Sequence, residues 1–123
     1  MSAPCFFESS ERRPLSEQMI PSGNLEPWNE HCIAMRGRNF DDAFYHPAHR
    51  ARLLHESGAG VELRSSMDWT QLYTSPQRWL AVEPMTAPPD ALNSGVDLTI
   101  LKPGEVLLAE YSVLKINYVY LKA

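Results

Sequence analysis

The chain has 123 residues, 44% of them hydrophobic and 21% charged, which suits one globular domain with a real apolar core. A net charge of −4 argues against nucleic acid or an anionic membrane as a partner, because both require a basic surface. No apolar run approaches the roughly 20 residues of a membrane span, and MSAPCFFESSERRPLSEQ carries acids too early for a signal peptide. Cys5 and Cys32 show neither metal-ligand nor disulfide-framework spacing, so free thiols in a reducing cytoplasm are expected. Ten prolines disfavour a helical bundle and favour many loops.

In chain order, residues 1–30 show no sustained helical or alternating period, and 1–12 are expected to be irregular or disordered. PSGNLEPW (21–28) reads as turns. HRARLLHESGAGVELRSS is the clearest local unit. Two runs, 49–55 and 61–66, flank the turn Ser57-Gly58-Ala59-Gly60, and Ala51/Leu53 and Val61/Leu63 alternate with polar neighbours, as in a β-hairpin. WTQLYTS (69–75) and WLAVE (79–83) predict two more strands, separated at Ser75-Pro76. DLTILKPGEVLLAEYSV predicts a further pair around the turn Lys102-Pro103-Gly104-Glu105, and INYVYLKA favours strand. No helical spacing persists for three turns, and no repeat or linker divides the chain. The expectation is a single all-β domain, an antiparallel β-sandwich. A long strand within 106–121 would leave unpaired backbone unless something covers it, which favours a homodimer or missing partner strands.

WLAVEPMTAPPDALNSG (79–95) carries a chemical signal. Glu83 closes an apolar run, and an acid at a strand end is ordinarily a solvated charge. Here Pro84, Pro88 and Pro89 stiffen the loop, Asp90 and Asn93 add polar groups, and Gly95 permits a left-handed ending. Screening by Trp79 and Met85 would push the Glu83 carboxyl upward by desolvation, toward the range of a general base.

VEPMTAPPDALNSG followed by LTILKPGE (98–105) resembles the carboxy-terminal signature of the aldose 1-epimerases, or galactose mutarotases. PLSEQMIPSGNLEPW (14–28), FDDAF (40–44) and LYTSP (72–76) extend the resemblance in the family's order, over roughly residues 12 to 113. It implies the carboxy-terminal portion of the family's β-supersandwich. It also implies interconversion of the α and β anomers of a free sugar such as a hexose. In that chemistry a carboxylate takes the proton of the C1 hydroxyl while an acid protonates the ring oxygen. The ring opens, C1–C2 rotates, and the ring closes on the other face. The family's base falls on Glu83. Its sugar-binding aspartate falls best on Asp41, with Asp42 the neighbouring candidate, and Tyr73 and Asn93 complete the expected sugar contacts. Trp69, Tyr73 and Trp79 are otherwise ordinary core aromatics.

The departure lies upstream. The family's acid is a histidine in an amino-terminal half that nothing here matches, and family enzymes are more than twice this length. His31, His46, His49 and His55 read as surface or strand-end residues. Loss of one member of an acid/base pair removes ~10²–10⁴-fold in rate. Three accounts follow: a truncated or split gene product, a chain completed by another copy or another chain, and a sugar-binding remnant without catalysis. Arg50 and Arg52 share a strand face at i, i+2, as a sugar-phosphate clamp would need, but solvated strand arginines do the same. No His/Asp/Cys cluster has metal spacing, and the reaction requires no redox cofactor.

Overall fold

The computed structural model describes residues 4–7, 11–13, 26–27, 32–34, 37–45, 49–55, 57–77 and 79–117, with side chains from residue 37 onward. Among the described residues, ten strands form two five-stranded antiparallel sheets, and one short helix interrupts them. The fold is all-β, as the sequence predicts.

The first sheet contains β1 (Pro4–Phe7), β4 (Cys32–Ala34), β6 (Arg50–Leu54), β7 (Ala59–Ser65) and β10 (Tyr111–Asn117), in the order β10-β7-β6-β1-β4. The second contains β2 (Glu11–Arg13), β3 (Glu26–Pro27), β5 (Asp41–Tyr45), β8 (Trp69–Thr74) and β9 (Leu80–Met85), in the order β3-β2-β5-β8-β9. The helix α1 (Ala91–Ser94) follows β9.

The hairpin β6–β7 forms where alternation places it. Ala51 lies opposite Leu63 and Leu53 opposite Val61, so both pairs share one face. That face packs against Phe44, Leu72, Leu80 and Val82 of the second sheet, and Phe40, Phe44, Ala51 and Leu72 form the buried centre. Trp69, Thr70, Gln71 and Leu72 are all buried, on a strand flanked by β5 and β9 within its sheet. Gly60 is demanded by a close approach. A Cβ there would strike the Leu53 carbonyl oxygen and come within 2.8 Å of Leu54 Cδ2.

Two expectations need correction. Residues 1–12, expected to be irregular or disordered, contain β1 and the start of β2. These strands are three or four residues long and pair with distant segments: β1 with β4 and β6, β2 with β3 and β5. Such non-local pairing leaves little local period to read. The second correction concerns the pair around Lys102-Pro103-Gly104-Glu105. The turn forms, with Glu105 N–H donating to the Lys102 carbonyl at 3.0 Å and Gly104 at φ 88°. Its flanks do not pair with each other, and only Tyr111–Asn117 becomes a strand, against β7. Apolar, β-favouring sequence needs a ladder partner, and these flanks have none among the described residues.

Candidate functional site

Strand register decides which predicted residues meet. Asp41 lies opposite Tyr73, which lies opposite Ala81, and Ala43 lies opposite Gln71, which lies opposite Glu83. Residues directly opposite share a face, and every second residue along a strand returns to it. Asp41, Gln71, Tyr73 and Glu83 therefore occupy one face of the second sheet, the face turned away from Phe44 and Leu72. Asp42 is half-buried opposite Leu72 and belongs to the other face, so register separates the two candidate aspartates.

Gln71 lies between the strands of Asp41 and Glu83 on this face, and sequence reasoning missed it. Its side chain is 8% exposed and its Nε2 donates to Asp41 Oδ1 at 2.8 Å. Its Oε1 is buried without a hydrogen-bond partner. A buried amide oxygen left unpaired is unfavourable and marks a site where an incoming donor would be welcome. The available signal was its position, two residues before Tyr73 on a strand already read as part of the site.

The aromatic residues frame the face at both ends. Tyr73 packs edge-on against Trp79 with ring centroids 5.5 Å apart, and Tyr45 packs likewise against Trp69 at 5.5 Å. Trp69 is fully enclosed and its Nε1–H donates to Asp97 Oδ2 at 2.8 Å, tying the loop after α1 to β8.

The proline-rich loop is anchored by a buried Pro88 and ends as its composition predicts. Gly95 sits at φ 73°, and its N–H donates to the Ala91 carbonyl, closing α1. Asn93 is exposed on α1 rather than on the sheet face, and its Nδ2 donates to Asp90 Oδ1 at 2.7 Å.

Glu83 itself is exposed, and Trp79 is 51% exposed. The expected screening by Trp79 and Met85 is not what the fold provides, because among the described residues β9 is the outermost strand of its sheet. A strand with a neighbour on one side only leaves its side chains open to water.

The outer face of the first sheet carries a separate charged cluster. Glu62 is 2% exposed and accepts from Arg52 Nε and Arg64 Nε, each at 2.5 Å. The Arg52 hydrogen bond, aided by Arg64, holds the carboxyl below its ordinary value against the opposing effect of burial. Arg52 is thus engaged by a carboxylate rather than presented as half of a phosphate clamp.

Of the histidines, His49 precedes β6 and its Nε2 meets Asp68 Oδ1 at 2.5 Å, while His55 follows β6 and its Nδ1 meets Ser57 Oγ at 3.0 Å. Both are strand-end residues. His31 and His46 lie outside the described residues. Among the described residues no three His, Cys, Asp or Glu side chains gather as a metal site. No helix among them is long and apolar enough to cross a membrane.

No protein-family model matches the chain. Over 53 residues, 41% of this chain, it is 42% identical to the uncharacterized protein YihR of Escherichia coli K12, a stretch that makes up 17% of YihR. Its structure is similar to a crystal structure from Escherichia coli K12 described as a "putative aldose 1-epimerase", with a TM-score of 0.69 and 16% identity. That superposition covers 98% of this chain and 46% of the other, so the chain spans less than half the length of its structural neighbour. The likeness establishes the fold: two antiparallel sheets, shared with that structure over nearly all of this chain.

Proposed function

We propose that the chain carries the base-bearing part of an aldose 1-epimerase-type site acting on a free sugar, a hexose or a close relative. The observation that carries this reading is the shared sheet face on which Glu83 lies opposite Gln71, and Gln71 bonds Asp41. In this reading the Glu83 carboxylate accepts the proton of the C1 hydroxyl. The electron pair of that O–H bond becomes the aldehyde C=O, and the C1–O bond to the ring oxygen breaks. A proton from an acid then completes the new hydroxyl, and reversal after C1–C2 rotation gives the other anomer. Asp41 and the buried Gln71 Oε1 accept sugar hydroxyls, and the Tyr73–Trp79 pair offers an apolar wall to the sugar ring.

The acid is supplied from outside the segments that resemble the family here. Polarimetry of freshly dissolved α-D-glucose or α-D-galactose tests the reading. Equilibration faster than the spontaneous rate, lost in Glu83→Gln, supports it, and the spontaneous rate with the native chain refutes it for this chain alone.

The exposure of Glu83 favours a second reading, a carbohydrate-binding chain without catalysis. It requires sugar-dependent quenching of tryptophan fluorescence, reported by the half-exposed Trp79, with no effect on anomer exchange. A sugar titration that leaves the emission unchanged removes it.

A further inference from the structure

Trp69 is tied twice to the segment that carries Glu83. Its backbone lies opposite Met85 in the β8–β9 ladder, and its indole N–H donates to Asp97 Oδ2 at 2.8 Å. The chain thus leaves the sheet beside Trp69 and is brought back to the same residue at Asp97. On the way it takes left-handed backbone at Asp90, φ 67°, Gly95, φ 73°, and Asp97, φ 49°. Such angles are unfavourable for residues other than glycine and persist where surrounding contacts hold them. Asp90 is held by the Asn93 amide. Asp97 is exposed, and among the described residues the Trp69 indole is the contact its carboxylate makes. Trp69 itself is 1% exposed and packed against Tyr45, so it is a firm anchor.

The anchored row borders the candidate site. Tyr45, Trp69 and Met85 form one cross-strand row, and Ala43, Gln71 and Glu83 form the next on the same face. Among the described residues β9 pairs with β8 alone, and a strand held from one side opens most readily at its ends. Met85 is that end, two positions beyond Glu83. From this geometry we propose that Asp97 is a positioning residue for Glu83, acting through Trp69. By fastening the returning chain to the central strand β8, it keeps the end of β9 closed and holds Glu83 in the row of Gln71. The inference deepens the reading of Glu83 as the base and rests on it. Asp97 itself touches no sugar and moves no proton.

Hydrogen exchange read by mass spectrometry on the full chain tests the clip, with the β6–β7 hairpin as internal reference. Asp97→Ala is expected to speed exchange of β9 about ten-fold or more relative to the hairpin. Asp97→Asn keeps an acceptor at a φ that asparagine tolerates and should restore the native rate. Trp69→Phe removes the donor without altering the loop backbone. Combined with Asp97→Ala it should add no further acceleration in β9 relative to the hairpin, because both delete one bond. Acceleration spread evenly over β9 and the hairpin makes Asp97 a residue of general stability and overturns the proposal. An unchanged β9, or effects of the two substitutions that simply add, overturns it equally. Polarimetry of α-D-galactose separates the clip from the reading it rests on. Spontaneous equilibration with the native chain, alongside the expected β9 response, removes the Glu83 reading and leaves the clip. Accelerated equilibration with an unresponsive β9 removes the clip alone.

Discussion

Gln71 donates from Nε2 to Asp41 Oδ1 at 2.8 Å while its own Oε1 is buried without a partner. The two facts oppose each other energetically. A hydrogen bond to a charged group stabilises by about 1.5–3 kcal/mol, and an unsatisfied buried polar atom costs about 1–3 kcal/mol. Gln71→Leu removes both, so its unfolding free energy is expected to stay within about 1 kcal/mol of the native chain. Gln71→Glu places a second carboxylate against Asp41 and is expected to lose about 2–3 kcal/mol at neutral pH. Urea denaturation of the two variants checks this, and a larger loss for Leu than for Glu would contradict it.

Glu62 gives a pH signature. Its carboxyl is held below 4.5, first by the Arg52 hydrogen bond. A group whose folded value is depressed stabilises the fold fully above its unfolded value, near 4.5, and that stability is lost as pH falls through the folded value. Denaturation midpoints are therefore expected to fall as pH drops from about 5 toward 3, and Glu62→Gln should flatten that fall. Arg52→Met leaves the buried carboxylate with the largely exposed Arg64 and is expected to lose up to about 3 kcal/mol at pH 7.

Gly60 is constrained by space. Its missing Cβ would meet backbone, the Leu53 carbonyl oxygen, across the β6–β7 hairpin, and backbone in a paired strand cannot rotate aside. Gly60→Ala is expected to destabilise by about 1–3 kcal/mol in urea denaturation. A neutral result would mean that the hairpin register differs from the one described.

Asp97 secures Trp69. Removing its carboxylate leaves the indole N–H of a fully enclosed ring unpaired, so Asp97→Ala is expected to cost about 1–3 kcal/mol and to change tryptophan emission. Asp97→Asn keeps an acceptor and suits the residue's φ of 49°, so it should retain most of the stability. Thermal melts followed by fluorescence distinguish the two.

The parts of the fold that could be read from sequence were those with local signals. The β6–β7 hairpin announces itself through alternation around a glycine turn, and β8 and β9 through short apolar runs divided by Ser75-Pro76. β1 to β3 gave no such signal, because two- to four-residue strands hold position through partners far away in the chain. The segment 98–110 misled in the opposite direction. Its composition favours strand, but strand is a paired state, and composition cannot supply the pair.

Residue types and spacing alone determined the all-β class, the Lys102–Glu105 and Gly95 turns, and the interest of Glu83, whereas Asp41 and Tyr73 became candidates through the resemblance to the aldose 1-epimerases. Cross-strand register, a property of the folded chain, decided that Asp41 and not Asp42 shares a face with Glu83, and that Gln71 sits between them. It also set the solvent around Glu83, because the exposure of a side chain depends on whether its strand lies at the edge or the centre of a sheet. That position is fixed by long-range pairing and is invisible in the order of neighbouring residues.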